Sequence, residues 1–217
     1  MNKKKVCCII PALNEEKTIG RVISEVKKYV KNVIVIDDNS DDKTGEISKS
    51  KGARVIRHKN KEGYANSIGD GLRVALNAGF EIIVTIDADG QHEAKDVPPL
   101  IGDIEKGAGI AIGQRPYKAR FAEYLFSLYS EKKIGISDPL CGLRAYSSNT
   151  LERISYVEKI YSVGTQVLFE AGKKGIIIEQ EKISLNKRKD KPRFGNIIVA
   201  NIKILYGMIN MILKYGF

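Results

Sequence analysis

The alternation of short apolar runs with amphipathic helical patterns constrains the fold of this chain most. Up to Gly113, each run rich in β-branched residues is followed by a segment with helical periodicity. Such alternation predicts βαβ units whose strands lie parallel in one sheet. Because crossovers between parallel strands are right-handed, helices are expected on both faces of the sheet. The fold class predicted is therefore α/β with a mainly parallel central sheet.

The boundaries of the expected elements follow from the same patterns. The expected strands of the first half are Lys5–Ala12, Val33–Asp37, Arg54–Arg57, Glu81–Ile86 and Ile110–Gly113. The expected helices there are Glu16–Val30, Lys43–Lys51, Tyr64–Ala78 and Ala94–Lys106, the last interrupted by Pro98 and Pro99. The second half is expected to contain the helices Ala119–Lys133 and Val163–Lys174, a loop and strand over Gly135–Ala145, and short strands at Ile176–Gln180 and Lys182–Leu185.

Length and composition limit the class of protein. A chain of 217 residues with 43% hydrophobic residues fits one domain with a full core. The net charge of +10 favours anionic partners such as sugar nucleotides, lipid phosphates or an anionic membrane surface. Three cysteines without a Cys-x-x-Cys pair indicate neither a zinc site nor a disulfide framework, so the reduced cytosol is expected. The apolar strand that follows the N-terminal lysines is too short for a signal peptide.

Polar clusters follow three of the expected strands. They are Pro11–Glu16, Asp37–Thr44 and Asp87–His92. Open α/β sheets bind ligands at the carboxyl ends of their strands. Helix capping by Asn14 and Asp42 accounts for part of this pattern. Capping does not account for adjacent aspartates on the strand side of the second cluster, where a carboxylate can accept hydrogen bonds from a base or a ribose.

Asp87 and Asp89 are the strongest chemical signal in the third cluster. Two carboxylates one residue apart at a strand end can converge on one divalent cation. Mg²⁺ takes oxygen ligands and keeps positions open for substrate phosphates. Aspartates after strands also serve as turn residues, but the two neighbouring clusters favour a cation that grips a diphosphate.

These blocks carry a resemblance to a known family. The chain resembles glycosyltransferase family 2, which has the GT-A fold, and most of all its branch of dolichyl-phosphate mannose synthases and other polyprenyl-phosphate sugar transferases. The resemblance covers about residues 5–195 and implies a Rossmann-like, nucleotide-binding front half. The chain departs from the family after its third strand, where Lys61-Glu-Gly-Tyr64 replaces a frequent Gly-Lys-Gly. The matching blocks are Ile10–Glu16, Val35–Ser40, Asp87–His92, Gly113–Arg115 and Ser137–Tyr146.

The resemblance implies roles for individual residues. The residues implied to lie against the nucleoside, base or ribose are Pro11, Ala12, Leu13, Glu15, Asp37 and Asp38. Those implied to hold Mg²⁺ or Mn²⁺ against the diphosphate are Asp87, Asp89 and Gln91, with Ala88 between them. Those implied to face donor or acceptor phosphates are Arg115 and Arg144, with Arg188 and Arg193 closing over them.

The catalytic candidates are Asp89, Asp138 and Arg144, and the role of Asp138 depends on the acceptor. An inverting enzyme that uses a sugar hydroxyl needs a carboxylate base, for which Asp138 is the candidate. A lipid phosphate is already anionic, and Asp138 would then position Arg144 or its loop. A third reading takes Asp138-Pro139 as the start of a turn.

The C-terminal segment Asn196–Phe217 is expected to form an amphipathic helix. Its apolar face is wide, and Lys203, Asn210 and Lys214 fall on one narrow polar stripe. The basic segment Asn186–Arg193 precedes it. No run of ~20 uncharged apolar residues occurs. The helix is expected to contact the cytoplasmic face of a membrane as a peripheral element, with packing on its own domain or homodimer formation as alternatives.

The sequence therefore predicts an inverting, metal-dependent glycosyltransferase. It would move one sugar from a GDP- or UDP-sugar to a polyprenyl (dolichyl) phosphate, with no nucleic acid partner. The absence of tryptophan excludes the Gln-x-x-Arg-Trp motif of processive members and favours single transfer. The alternatives are a soluble glycosyltransferase acting on a glycan or small-molecule hydroxyl, a nucleotidyltransferase, and a non-catalytic sugar-nucleotide binding module. The expected domain spans residues 1–195, with a nucleotide-sugar half at about 1–114, an acceptor half at about 115–195 and the helix at 196–217.

Overall fold

The computed structural model describes residues 5–154, 163–186 and 197–216. The strands are β1 Val6–Ala12, β2 Asn32–Asp37, β3 Arg54–Arg57, β4 Ile82–Thr85, β5 Ile110–Gln114, β6 Arg144–Ser147 and β7 Ile178–Lys182. The helices are α1 Ile19–Val26, α2 Thr44–Ser50, α3 Tyr64–Asn77, α4 Val97–Glu105, α5 Phe121–Ile134, α6 Ser148–Arg153, α7 Val163–Lys173 and α8 Ile197–Tyr215.

In the described part of the chain the strands form one seven-stranded sheet in the order β3-β2-β1-β4-β6-β5-β7. The pairs β1–β2, β1–β4, β2–β3 and β5–β7 are parallel, whereas β6 runs antiparallel to both β4 and β5. The prediction of an α/β fold with a mainly parallel sheet is therefore confirmed. Because β6 runs antiparallel to β4 and β5, its first residue, Arg144, lies at the edge where those two strands end.

The centre of the sheet is buried on both faces. In β1, Cys7 through Ile10 have no exposed surface, and β4 is buried along its whole length. Near-continuous apolar runs of this kind are typical of parallel strands covered by helices on both sides. Burial raises the pKa of the Cys7 thiol to about 12, so this cysteine packs as a neutral apolar side chain.

Three details of the expected secondary structure are wrong. The prolines Pro98 and Pro99 do not interrupt a helix but lie in the first turn of α4, where a missing N–H costs no hydrogen bond. The two short strands expected after Gly175 are one strand, β7, followed by an isolated pairing between Leu185 and His92. The helix α6 was not expected, although Ser147 caps it by accepting a hydrogen bond from the Thr150 N–H.

The helix α8 packs on the domain through one face. Its residue Met211 joins a small aromatic cluster with Phe126, Tyr129 and Phe169, which lie on α5 and α7. In the described part of the chain one helical segment, Ile198–Tyr215, is long and apolar enough to cross a membrane, and 11% of it is buried. In this segment Ala200 and Met211 are buried, and the other residues are half-buried or exposed.

Candidate active site

The carboxyl ends of β1, β2, β4 and β5 lie along one edge of the sheet, together with the first residue of the antiparallel strand β6. Most of the residues predicted from the polar clusters follow these strand ends directly. The topology therefore collects on one edge groups that are far apart in the sequence, as expected for a ligand site in an open α/β sheet.

The carboxylate of Asp87 has two side-chain partners, and Gly142 packs closely against it. Its Oδ1 accepts a hydrogen bond from the Tyr64 hydroxyl (2.8 Å), and its Oδ2 pairs with His92 Nε2 (3.2 Å). A Cβ placed on Gly142 would lie 2.4 Å from Oδ2 and 2.6 Å from Oδ1, so only glycine fits there. Burial alone would raise the pKa of Asp87, but the hydrogen bond and charge of His92 and the Tyr64 hydroxyl lower it. The carboxylate is therefore ionised, fixed in orientation and partly exposed.

Asp89 and Gln91 complete the segment expected to bind a cation. Asp89 Oδ1 accepts a hydrogen bond from the backbone N–H of Gln91 (3.0 Å), and both residues are partly exposed. Ala88 between the two aspartates is buried. Exposed carboxylate oxygens are the donors that Mg²⁺ and Mn²⁺ take, so Asp87 and Asp89 fit such a cation chemically.

The loops after β1 and β2 are joined by side chain to backbone hydrogen bonds. Asn14 N–H donates to Ser40 Oγ (2.9 Å), Asp41 N–H donates to Asn14 Oδ1 (2.7 Å) and Glu15 N–H donates to Thr44 Oγ1 (2.7 Å). Asn14 has a φ of 51°, a left-handed conformation that asparagine tolerates better than most residues. Of the predicted nucleoside residues here, Pro11 and Ala12 end β1 and are buried, Glu15 is buried beside the second loop, and Leu13 is partly exposed.

The adjacent aspartates after β2 have different environments. Asp37 is fully buried, with Oδ1 accepting from the Ser40 N–H and Oδ2 paired with Arg57 (3.1 Å). This geometry does not support direct substrate contact by Asp37, which shapes its loop instead. Asp38 is also buried (3% exposed), and it accepts from the backbone N–H groups of Glu62 (2.7 Å) and Gly63 (2.8 Å). It therefore connects the end of β2 to the start of α3, and its predicted role at the nucleoside is that of holding the adjoining backbone in place.

His58 contacts two carboxylates at the base of this loop. Its Nδ1 donates to Asp38 Oδ1 (2.8 Å), and its Nε2 lies 3.2 Å from Asp70 Oδ2. Burial alone would lower the pKa of His58, but the Asp38 hydrogen bond and the charges of Glu62, Asp38 and Asp70 raise it above its usual value. His58, Glu62 and Asp70 also place ligand atoms within 4.8 Å of one another, in a group that does not include Asp87.

Asp138 and Arg115 form a buried pair. Arg115 Nε and Nη2 donate to the two oxygens of Asp138 at 2.8 Å each, and the Arg115 backbone N–H donates to Oδ2 (3.0 Å). Asp138 is 1% exposed. Glu123 Oε2, in the first turn of α5, lies 3.2 Å from Arg115 Nη2. A carboxylate saturated in this way is poorly placed to remove a proton from an acceptor, so the geometry favours positioning over a base.

Arg144 holds the loop that precedes β6. Its Nε donates to the carbonyl of Cys141 and its Nη2 to the carbonyl of Pro139, each at 2.7 Å, and the residue is buried. Direct contact between Arg144 and a substrate phosphate is not supported by these bonds, which instead fix the loop carrying Asp138 and Gly142. Arg188 and Arg193 lie outside the described residues.

Three residues of this edge were not singled out from the sequence. Tyr64 and His58 offered no pattern of their own, and Gly142 was matched only as part of a block. Each acts through a partner distant in sequence: Tyr64 and Gly142 on Asp87, and His58 on Asp38. A tyrosine at the start of a helix is not a recognisable signal without that contact.

Several known proteins are similar to this chain in sequence. The family model described as glycosyl transferase family 2 matches residues 7–138. An uncharacterized protein of Methanocaldococcus jannaschii is 32% identical, with 96% of this chain and 93% of that protein covered. The undecaprenyl-phosphate mannosyltransferase of Micrococcus luteus is 27% identical over 85% of each chain. The UDP-N-acetylglucosamine–dolichyl-phosphate N-acetylglucosaminyltransferase of Methanococcus voltae is 27% identical over 100% of this chain and 98% of its own.

The fold has a close match among solved structures. Glucosyl-3-phosphoglycerate synthase from Mycobacterium tuberculosis, in complex with Mn²⁺ and UDP-glucose, superposes with a TM-score of 0.80. The match covers 98% of this chain and 79% of that protein at 20% identity. At this identity the likeness shows the fold, which is that of the GT-A structure expected from the sequence.

Proposed function

The chain belongs to glycosyltransferase family 2 and is a glycosyltransferase, and from that premise we propose that it transfers one sugar from a nucleotide diphosphate donor to a polyprenyl phosphate. Two of the similar proteins named above act on undecaprenyl or dolichyl phosphate, by their names, and they use different sugars. The acceptor class is therefore better supported than the sugar, and both GDP- and UDP-sugars remain candidate donors.

The donor site we propose is the edge formed by the loops after β1, β2 and β4. The segment from Pro11 to Glu15 would hold the nucleoside, with Leu13 as its partly exposed member, and Asp38 would fix the backbone beside it. Asp87 and Asp89 would hold Mg²⁺ or Mn²⁺, with Gln91 beside them. When bound, such a cation would neutralise the charge that develops on the leaving diphosphate. The Mn²⁺ and UDP-glucose bound by the glucosyl-3-phosphoglycerate synthase structure support this assignment.

The reaction we propose is a direct displacement. An oxygen of the acceptor phosphate forms a bond to the anomeric carbon while the bond from that carbon to the donor diphosphate breaks, which inverts the configuration. The phosphate is already anionic, so no proton has to be removed. Both oxygens of Asp138 accept hydrogen bonds from Arg115, so Asp138 is poorly placed to remove a proton from a hydroxyl. A phosphate acceptor does not need such a base, which supports the lipid phosphate. Arg188 and Arg193 would supply positive charge near the phosphates, because the Arg115 guanidinium is already paired with Asp138 and Glu123.

One observation carries the choice of a lipid acceptor. The outer face of α8 presents a stripe of exposed apolar side chains at helical spacing, and α5 presents a second one. The members on α8 are Val199, Ile202, Tyr206, Ile209 and Leu213, and those on α5 are Phe121, Tyr124 and Leu128. Together they form what we call the apolar surface. Within each stripe the spacing of three and four residues makes the exposed side chains neighbours on the helix, and large exposed apolar patches mark interaction sites.

The two helices pack side by side, and the apolar surface begins beside the site. Asn201 of α8 accepts a hydrogen bond from the Ala122 N–H of α5 (3.0 Å), and the Tyr129 hydroxyl donates to the carbonyl of Gly216 (2.7 Å). Glu123, in the first turn of α5, contacts Arg115 at the end of β5. A bilayer against the apolar surface would thus bring a lipid phosphate toward the proposed donor edge.

Charge favours an anionic bilayer as the partner. Lys203 flanks the apolar stripe of α8, whereas Lys214 is paired with Glu170 (3.2 Å). The segment before the helix is basic, and the chain has a net charge of +10. Basic residues near an anionic membrane contribute about 1 kcal/mol each, and the contribution falls with salt. We therefore place the enzyme at the cytoplasmic face of the membrane as a peripheral protein.

An acceptor comparison tests the proposed function. Purified protein is incubated with labelled UDP-N-acetylglucosamine, UDP-glucose or GDP-mannose, and the acceptor is a polyprenyl phosphate, the matching polyprenol or a soluble glycan. We expect label in the organic phase only with the phosphate and one of the donors. Transfer to the polyprenol or to the glycan instead would show that a hydroxyl is the acceptor.

Flotation with vesicles tests the membrane contact. Ile202→Ser combined with Ile209→Ser should release the protein from anionic vesicles, whereas Ile177→Ser should not, because Ile177 is equally exposed (59%) but lies outside the apolar surface. If the double variant binds vesicles like the wild type and changes the oligomeric state instead, the apolar surface is a homodimer interface.

A further inference from the structure

Tyr64 occupies an unusual position at the edge of the sheet. It is the first residue of α3, and its ring is 52% exposed, yet its hydroxyl donates to Asp87 Oδ1 at 2.8 Å. No step of the proposed reaction uses it. It also lies in the four residues, Lys61 to Tyr64, where the chain departs from the family pattern. Its contact with Asp87 is therefore a feature of this chain that the family resemblance does not explain.

The direction of the Tyr64 side chain is set by the loop before it. Gly63 has a φ of 90°, which other residues rarely adopt, and its N–H donates to Asp38 Oδ2 (2.8 Å). The N–H of Glu62 donates to Asp38 Oδ1 (2.7 Å). Asp38 thus fixes the start of α3 through two consecutive backbone amides, and α3 in turn directs Tyr64 to Asp87.

We propose that Tyr64 is a positioning residue that couples the nucleoside carboxylate, Asp38, to the metal carboxylate, Asp87. This inference rests on the proposed function, in which Asp87 binds the cation. Tyr64 on Oδ1 and His92 on Oδ2 together prevent the Asp87 carboxylate from rotating. Each oxygen retains a second lone pair for a cation. Hydrogen-bonded partners of this kind orient a ligand before the cation arrives, and their removal weakens metal binding about 10–100-fold.

The first test is Mn²⁺ binding without any donor. In Tyr64→Phe the ring keeps its packing and only the hydroxyl is lost. Electron paramagnetic resonance titration should show Mn²⁺ affinity weakened about 10-fold, with the thermal midpoint unchanged. Tyr29→Phe is the matched control, because Tyr29 is similarly exposed (48%) and lies three residues after α1. This variant should bind Mn²⁺ like the wild type. Equal affinities in Tyr64→Phe and the wild type would overturn the role of Tyr64.

The second test asks whether Asp38 acts through Tyr64. Asp38→Asn and Tyr64→Phe should each weaken Mn²⁺ binding, and the double variant should be no weaker than Tyr64→Phe alone, because both changes interrupt one connection. Additive losses would show two independent effects and overturn the coupling. A wild-type chain that binds no Mn²⁺ would overturn the metal assignment in the proposed function and this inference with it. Equal binding in the wild type and Tyr64→Phe overturns the inference alone.

Discussion

Replacing Gly142 with alanine should disable the site without unfolding the protein. A Cβ at this position would lie 2.4 Å from Asp87 Oδ2, 2.6 Å from Oδ1 and 2.7 Å from Cγ. These distances are about 1 Å shorter than van der Waals contact, so the Asp87 carboxylate must move by about that much. A displacement of 1 Å at a reacting centre costs about 100-fold in turnover, which corresponds to about 2.7 kcal/mol in the barrier.

Two measurements separate displacement of Asp87 from general damage. Sugar transfer, or hydrolysis of the donor, should fall about 100-fold in Gly142→Ala, and Mn²⁺ binding should weaken. The control is Gly102→Ala in α4, where a Cβ meets nothing within 4 Å and both activity and metal binding should be retained. Turnover within threefold of the wild type in a folded Gly142→Ala variant would refute the assignment of Asp87 to the reacting centre.

Three further variants test the surrounding residues. Asp138→Asn removes the charged acceptor of the Arg115 hydrogen bonds and should lower the free energy of unfolding by about 1.5–3 kcal/mol, because Glu123 still pairs with Arg115; lost turnover at unchanged stability would identify Asp138 as the base instead. His58→Gln should cost more stability at about pH 6 than at about pH 9. The folded-state pKa of His58 is raised above 6.5, so its contribution is complete below that value and is lost as pH rises through the raised pKa; a pH-independent difference in chemical denaturation would contradict this. Asp38→Ala should weaken UDP or GDP binding in calorimetry more than it lowers the thermal midpoint, and unchanged affinity would remove Asp38 from the nucleoside site.

Local patterns in the sequence were sufficient for much of the fold. The near-continuous apolar strand β1 and the helix α3 with its C-terminal Gly79 carry their own signals, because burial and periodicity are local properties. The place of β6 was not predictable in the same way. It inserts between β4 and β5 in the antiparallel direction, and nothing in Arg144–Ser147 itself specifies partners so distant in the chain.

The candidate site also contains residues that the sequence could indicate and residues that it could not. Asp38, Asp87 and Asp89 could be proposed as site residues from the sequence, because each follows the end of an expected strand. Their partners could not, since the Tyr64 hydroxyl reaches Asp87 across 23 positions and His58 reaches Asp38 across 20. The residue type of Arg144 led to a prediction that the structure does not support. An arginine in a phosphate-binding family suggests a phosphate ligand, but Arg144 donates its hydrogen bonds to carbonyls of its own loop.

The structure of the transfer product tests the central claim most directly. The product formed from a nucleotide-sugar and a polyprenyl phosphate is extracted and examined by mass spectrometry and nuclear magnetic resonance. The account predicts one sugar per lipid, joined through the phosphate, with the anomeric configuration opposite to that of the donor, and no product after metal removal with EDTA. A product with retained configuration, with several sugars or formed equally well without a divalent cation would contradict it.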